Sequence, residues 1–234
     1  MTSSLQEITE LANLTMNNAL TEGSRVWDEM EEAARPEMLW IHHLLQAHPD
    51  NQAQSLLKGA SVSIPEAAGC LSLGLVRPAL NSLRAQIDLC LAWIYFKDHP
   101  VELRVIQTTG DGFKLKKEIL DYFTNWYPDF GRRWGILKQR ARRTHQDPYR
   151  ILSAHMHAQS EIVIPNLEKL TDMVGSKKVQ REAVMLQAEC SEYLSDIFWC
   201  IFADDHMTIP AELKDQLLPR FATAKERAEF FKNC

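Results

Sequence analysis

No stretch of this 234-residue chain approaches the roughly 18 uninterrupted apolar residues that a membrane span requires. The best candidate, residues 87–96, contains Asp88 and is far too short, so it reads as a buried helix and no membrane partner is expected. The N-terminus, MTSSLQEITELANL, lacks a basic region and a continuous apolar core, so no secretory signal is expected either. Cysteine is scarce and odd in number. Cys70, Cys90, Cys190, Cys200 and Cys234 include no C-x-x-C pair, and four of them sit in apolar runs. That argues against a disulfide frame or a zinc site and for reduced core thiols in a cytoplasmic protein. No P-loop, G-x-G-x-x-G, G-x-S-x-G or H-E-x-x-H occurs. The adjacent His42 and His43 point about 100° apart on a helix, and no acid stands four residues away on the proper face. No metal site is assigned to them and no cofactor is expected.

The composition is that of a globular chain: 45% of residues are hydrophobic, enough for one domain or two small ones to fold without covalent staples. The formal net charge of −5 excludes a polycation but hides an uneven spread. Residues 1–50 carry nine acids (Glu7, Glu10, Glu22, Asp28, Glu29, Glu31, Glu32, Glu37, Asp50) against Arg25 and Arg35, a balance of −7. Residues 129–150 carry Arg132, Arg133, Lys138, Arg140, Arg142, Arg143 and Arg150 against Asp129 and Asp147, a balance of +5. An anion-binding surface is therefore compatible with an acidic chain.

Apolar residues recur at three and four almost throughout and nowhere alternate at two, so the fold class is all-α. Ser3 or Ser4 can cap a first helix running to about Thr21, with Leu5, Ile8, Leu11 and Leu14 on one stripe. A second helix follows Gly23, is expected to break near Arg35-Pro36, and stops at His48-Pro49. Residues 50–63 read as a loop with one short turn. The longest apolar stretch, residues 64–97, has Pro65 in its first turn and Pro78 in its middle, where a kink or break is expected. Shorter helices fit residues 101–107 and 112–125. Pro128 opens a basic helix, Asp147-Pro148 opens another, and Pro165 interrupts the segment after it. Residues 176–204 form a second long helix, and Pro210 starts a last one. The economical reading is a single domain over residues 1–234, with residues 1–50 an appended hairpin and the core in residues 64–205.

Two polar lines carry the chemistry. In the first apolar helix Arg77, Asn81, Arg84 and Asp88 are spaced four, three and four, which aligns them along one face. Arg84 and Asp88 can pair at i,i+4, whereas Arg77 has only Asn81 beside it, so the stripe is either a salt-bridge ladder to neighbouring helices or the wall of an anion-binding cleft. In the helix opened by Asp147-Pro148, His157 lies seven residues after Arg150 and returns to within about 20° of it, whereas His155 is about 140° away. Ser153 falls between them on the same face. A cation that grips a phosphate beside an imidazole that moves protons near neutral pH is what metal-independent cleavage of RNA by its own 2′-hydroxyl requires. The bland alternative is a packed or capping histidine.

The pattern Tyr149-x-x-Leu152-Ser153-x-x-Met156-His157, together with Arg77-Pro78-Ala79-Leu80 through Ile94-Tyr95, resembles an uncharacterised branch of the HEPN superfamily over roughly residues 71–160. Many members of that superfamily are RNases of prokaryotic toxin–antitoxin, abortive-infection and CRISPR-associated systems. The resemblance implies a helical bundle that forms a homodimer across a composite Arg/His cleft, with two long central helices. It implies that Arg150 binds the scissile phosphate and His157 moves the proton or stabilises the leaving group, without a metal. Ser153, Arg77 and Arg84 would support them, with Asn81, Asp88, Tyr149 and His155 at the same centre. An RNA substrate and a cognate antitoxin or defence-system partner are the partners implied. One position departs: the residue after the arginine, commonly polar in active HEPN RNases, is Ile151. A non-catalytic HEPN-like module that binds a partner protein or nucleotide is therefore the second reading.

Phe130 and Trp134 interleave with the charges of Arg132, Arg133, Lys138, Arg140, Arg142 and Arg143, a pattern that can grip an RNA backbone and stack on unpaired bases. The rival reading has this segment pack on the acidic Glu29 to Glu37 stretch of the same molecule.

Overall fold

The computed structural model describes residues 3–157, 163 and 167–232. The described residues form helices and connecting turns, with no strand. Pro165 and Cys234 lie outside them.

Ser3 caps α1 (Ser4–Asn18), its hydroxyl accepting the Gln6 N–H. A wide turn over Ala19–Gly23 leads without a break into α2 (Ser24–Ala47). The expected break at Pro36 does not occur. Val26, Met30 and Ala34 before the proline and Trp40, Ile41 and Leu44 after it all lie on one buried face. Burial on both sides outweighs the roughly 3 kcal/mol that an internal proline costs.

The expected loop at residues 50–63 is also helical: α3 runs over Gln54–Ser72, and Pro65 lies inside it. Its small residues mimic loop chemistry but serve close packing. A Cβ on Gly59 would stand 3.2 Å from Leu89 of the next helix. The break in the long apolar stretch falls at residues 73–75 rather than at Pro78. Gly74 there has φ +80°, the Leu75 N–H donates to the Cys70 carbonyl and the Gly74 N–H to the Leu71 carbonyl, both at 2.8 Å. That pair of bonds is a Schellman termination. The next helix, α4 (Val76–Phe96), then takes Pro78 into its first turn, where a missing N–H is harmless.

Short helices α5 (Pro100–Thr109), α6 (Lys116–Trp126) and α7 (Phe130–Gln139) come next, then α8 (Pro148–His157) and the long α9 (Lys177–Phe202), capped by Ser176. The single C-terminal helix expected after Pro210 is two, α10 (Ala211–Leu217) and α11 (Ala224–Phe230). Helices α4 and α9 form the centre. From Cys190 to Phe202 nearly every residue of α9 is buried, with Trp40 packed on Phe198 and Trp199 and Trp93 on Phe202. Cys90, Cys190 and Cys200 are buried free thiols and Cys70 is half-buried. No described helix is long and apolar enough to cross a membrane.

Candidate functional site

Helix α8 begins where the sequence places it, and the Asp147 carboxylate before it accepts from Lys116 Nζ at 2.5 Å. It lies across α4 and divides the polar stripe of that helix in two. At one end, Arg84 gathers three partners: Nε donates to Asp88 Oδ2 at 3.2 Å, Nη2 to the Tyr149 hydroxyl at 2.9 Å, and Nη1 lies 3.2 Å from His157 Nε2. A guanidinium only donates, so Nε2 is the accepting nitrogen in this contact. The two lines read from the sequence thus meet at Arg84.

Tyr149 is framed by cations, with the Arg84 guanidinium 4.8 Å and Lys116 Nζ 4.6 Å from its ring centre. Burial first, and the Asp88 charge second, push its phenol above the ordinary range. Burial lowers the Lys116 ammonium, while Asp147 opposes the shift. Arg150, on the same helical face as His157, is exposed, and its guanidinium makes no hydrogen bond or ion pair with the described residues. Ser153 is half-buried on the same side as Tyr149. No pattern in the sequence marks Lys116, because its place at this centre depends on α6 packing against α4, which brings Lys116 to Asp147 and Tyr149.

At the other end of the stripe, Arg77 and Asn81 open into a cleft of about 740 Å³ between α4, α8 and α9, into which Ile151 and His155 also face. Burial, and secondarily Arg77, push His155 below its ordinary value. His155 thus lines the cleft with Arg77 and Asn81, on the far side of α8 from His157. Across the cleft Glu189 accepts from the backbone N–H groups of Thr144 and His145, and from His145 Nδ1 at 2.7 Å.

Of the basic segment expected to bind RNA, Arg132, Arg133, Arg140 and Arg143 are engaged within the chain. Arg133 is 1% exposed, donates to the carbonyls of Cys200 and Phe230 and pairs with Asp204. Arg143 is 6% exposed and pairs with Asp196 at 2.6 Å and Glu192 at 3.2 Å. Arg132 binds Asp129 and the carbonyl of Lys232, and Arg140 binds Glu226. Buried or paired guanidiniums are not available to phosphates, so only Lys138 and Arg142 of the six remain exposed. The rival expectation of packing on Glu29 to Glu37 is corrected. Apart from Asp129, the acids that answer these arginines lie in and after α9, whereas Glu29 pairs with Arg25 and Glu37 is buried against Gln187 and Ser191. A signal existed: Glu189, Glu192 and Asp196 are spaced three and four on an otherwise buried helix, the same pattern that marks the stripe on α4.

Among the described residues no three His, Cys, Asp or Glu side chains converge as metal ligands would. No family model, no curated protein and no solved structure matches the chain.

Proposed function

We propose that the centre formed by Arg84, Tyr149, Arg150, Ser153 and His157 binds an RNA phosphodiester and cleaves it without a metal, in a HEPN-like homodimer of a prokaryotic defence or toxin–antitoxin system. The observation that carries this reading is the 3.2 Å approach of Arg84 to the accepting nitrogen of His157, with Arg150, unpartnered among the described residues, on the adjoining edge of the same helix.

In this reading an incoming phosphate draws the guanidiniums of Arg84 and Arg150 to its non-bridging oxygens and frees Nε2 of His157. The 2′-hydroxyl then attacks the adjacent phosphorus while Nε2 takes its proton. The P–O5′ bond breaks, the leaving oxygen takes a proton from water, His157 returns its proton to the solvent, and the products are a 2′,3′-cyclic phosphate and a 5′-hydroxyl. The arginines stabilise the charge that builds on the phosphorane. Purified protein and its Arg150→Ala and His157→Ala variants, incubated with RNA in EDTA, test the proposal. Wild type is expected to cut and both variants to lose at least a hundredfold in rate; intact RNA with wild type, or equal cutting by all three, overturns it.

A second reading is a non-catalytic module that binds a partner protein or nucleotide at the same centre. It draws on the inward-facing Arg132, Arg133, Arg140 and Arg143, which leave little basic surface for a long RNA. Binding of a nucleotide that His157→Ala leaves intact, with no cleavage by wild type, would favour it.

A further inference from the structure

We propose that the cleft between the start of α4, α8 and α9 binds a long-chain aliphatic carboxylate, its head group on Arg77 and its chain along α9. The volume of about 740 Å³ lies within the range of small-molecule sites. The apolar lining is aliphatic: Leu80, Ile151, Met173, Val179, Met185 and Leu186 form most of it. No Phe, Tyr or Trp is among the described lining residues. Flexible methionines suit an unbranched chain of variable length. Much of this surface is open to water, with Met185 62% and Val179 40% exposed.

The charges select the head group. Each lining carboxylate is already answered within the chain: Glu189 by His145 and two backbone N–H groups, Asp172 by the N–H groups of Glu168 and Lys169, Glu182 by Lys178 at 3.9 Å. The Arg77 guanidinium has no hydrogen bond or ion pair with the described residues, and burial together with Arg77 disfavours a charge on neighbouring His155. One positive charge at the rim of an aliphatic cleft, unanswered among the described residues, fits a single carboxylate, which a guanidinium can hold with two parallel hydrogen bonds. Because α8 separates this cleft from the Arg84–His157 centre, the inference stands apart from the RNA reading.

Calorimetric titration of the whole chain with octanoate, decanoate, dodecanoate and dodecanol, each below its micelle-forming concentration, tests it. At about 0.8 kcal/mol per buried methylene, affinity should rise by up to about fourfold for each added carbon. Arg77→Met should weaken dodecanoate at least tenfold and bring it level with dodecanol. Val179→Trp, at an exposed position on the wall, should weaken both, and a thermal melt of each variant establishes that the fold is intact. Absence of binding, affinity independent of chain length, or dodecanoate affinity unchanged in both variants overturns the proposal. So does an affinity that falls with rising protein concentration, which would assign this face to a second copy of the chain.

Discussion

Replacing Glu37 by glutamine should flatten the dependence of stability on pH. The Glu37 carboxyl is fully buried, its Oε2 is 3.4 Å from both Gln187 Nε2 and Ser191 Oγ, and no cation among the described residues stands beside it. Loss of water pushes its pKa from 4.5 up to about 8, against the smaller opposing effect of the two hydrogen bonds. Between those values the folded chain holds a proton that the unfolded chain has released, so stability must fall as pH rises through this window. At about 1.4 kcal/mol per pH unit, the decline attributable to Glu37 is on the order of 4 kcal/mol between pH 5 and 8. That is a large part of a typical 5–15 kcal/mol folding free energy. Glutamine has the same shape and no titration. Urea denaturation of wild type and Glu37→Gln, followed by circular dichroism at pH 5, 6, 7 and 8, should show the variant gaining several kcal/mol relative to wild type across the series. Histidines titrate in both proteins and cancel in the difference. A difference that stays constant from pH 5 to 8 would refute the assignment of a neutral buried carboxyl.

Two further substitutions probe the frame around the site. Gly74→Ala forces a left-handed φ on an L-residue and sets its Cβ 2.6 Å from Val174 Cγ1, so it should destabilise the chain by about 2 kcal/mol or more; a melting temperature unchanged from wild type would contradict this. Arg143→Ala leaves the buried Asp196 with Arg220 alone and should cost about 3 kcal/mol, whereas the exposed Arg142→Ala should stay within about 0.5 kcal/mol of wild type. Equal denaturation midpoints for the two would show that Arg143 is not a structural residue.

How far the sequence anticipates the structure depends on whether a signal is local. Periodicity alone gives an all-helical chain, and the caps at Ser3 and Ser176 and the start of α8 at Pro148 are set by nearby residues. The Arg84–Asp88 pair and the shared face of Arg150, Ser153 and His157 come from helical geometry, but the meeting of Tyr149 and His157 at Arg84 is a tertiary fact. Pro36 and Pro65 mislead because burial by other helices overrides a local penalty, and residues 54–63 mislead because Gly59, Ala60 and Ser63 are as typical of close helix packing as of loops. The arginines of the basic segment mislead most. Net charge along the chain says that acid must meet base, and spacing on α9 points to Asp196, yet only the fold shows that Asp204 and Glu226 are also among the acids concerned.

The measurement that bears most directly on the proposed activity is a time course of an end-labelled RNA with wild type and His157→Ala in EDTA, with the ends of any products identified. Wild type is expected to leave 2′,3′-cyclic phosphate and 5′-hydroxyl ends and to spare the same sequence made of DNA, and the variant to cut almost none of the RNA. RNA left intact by wild type, DNA cut as fast as RNA, or cleavage undiminished in His157→Ala would contradict the proposed activity.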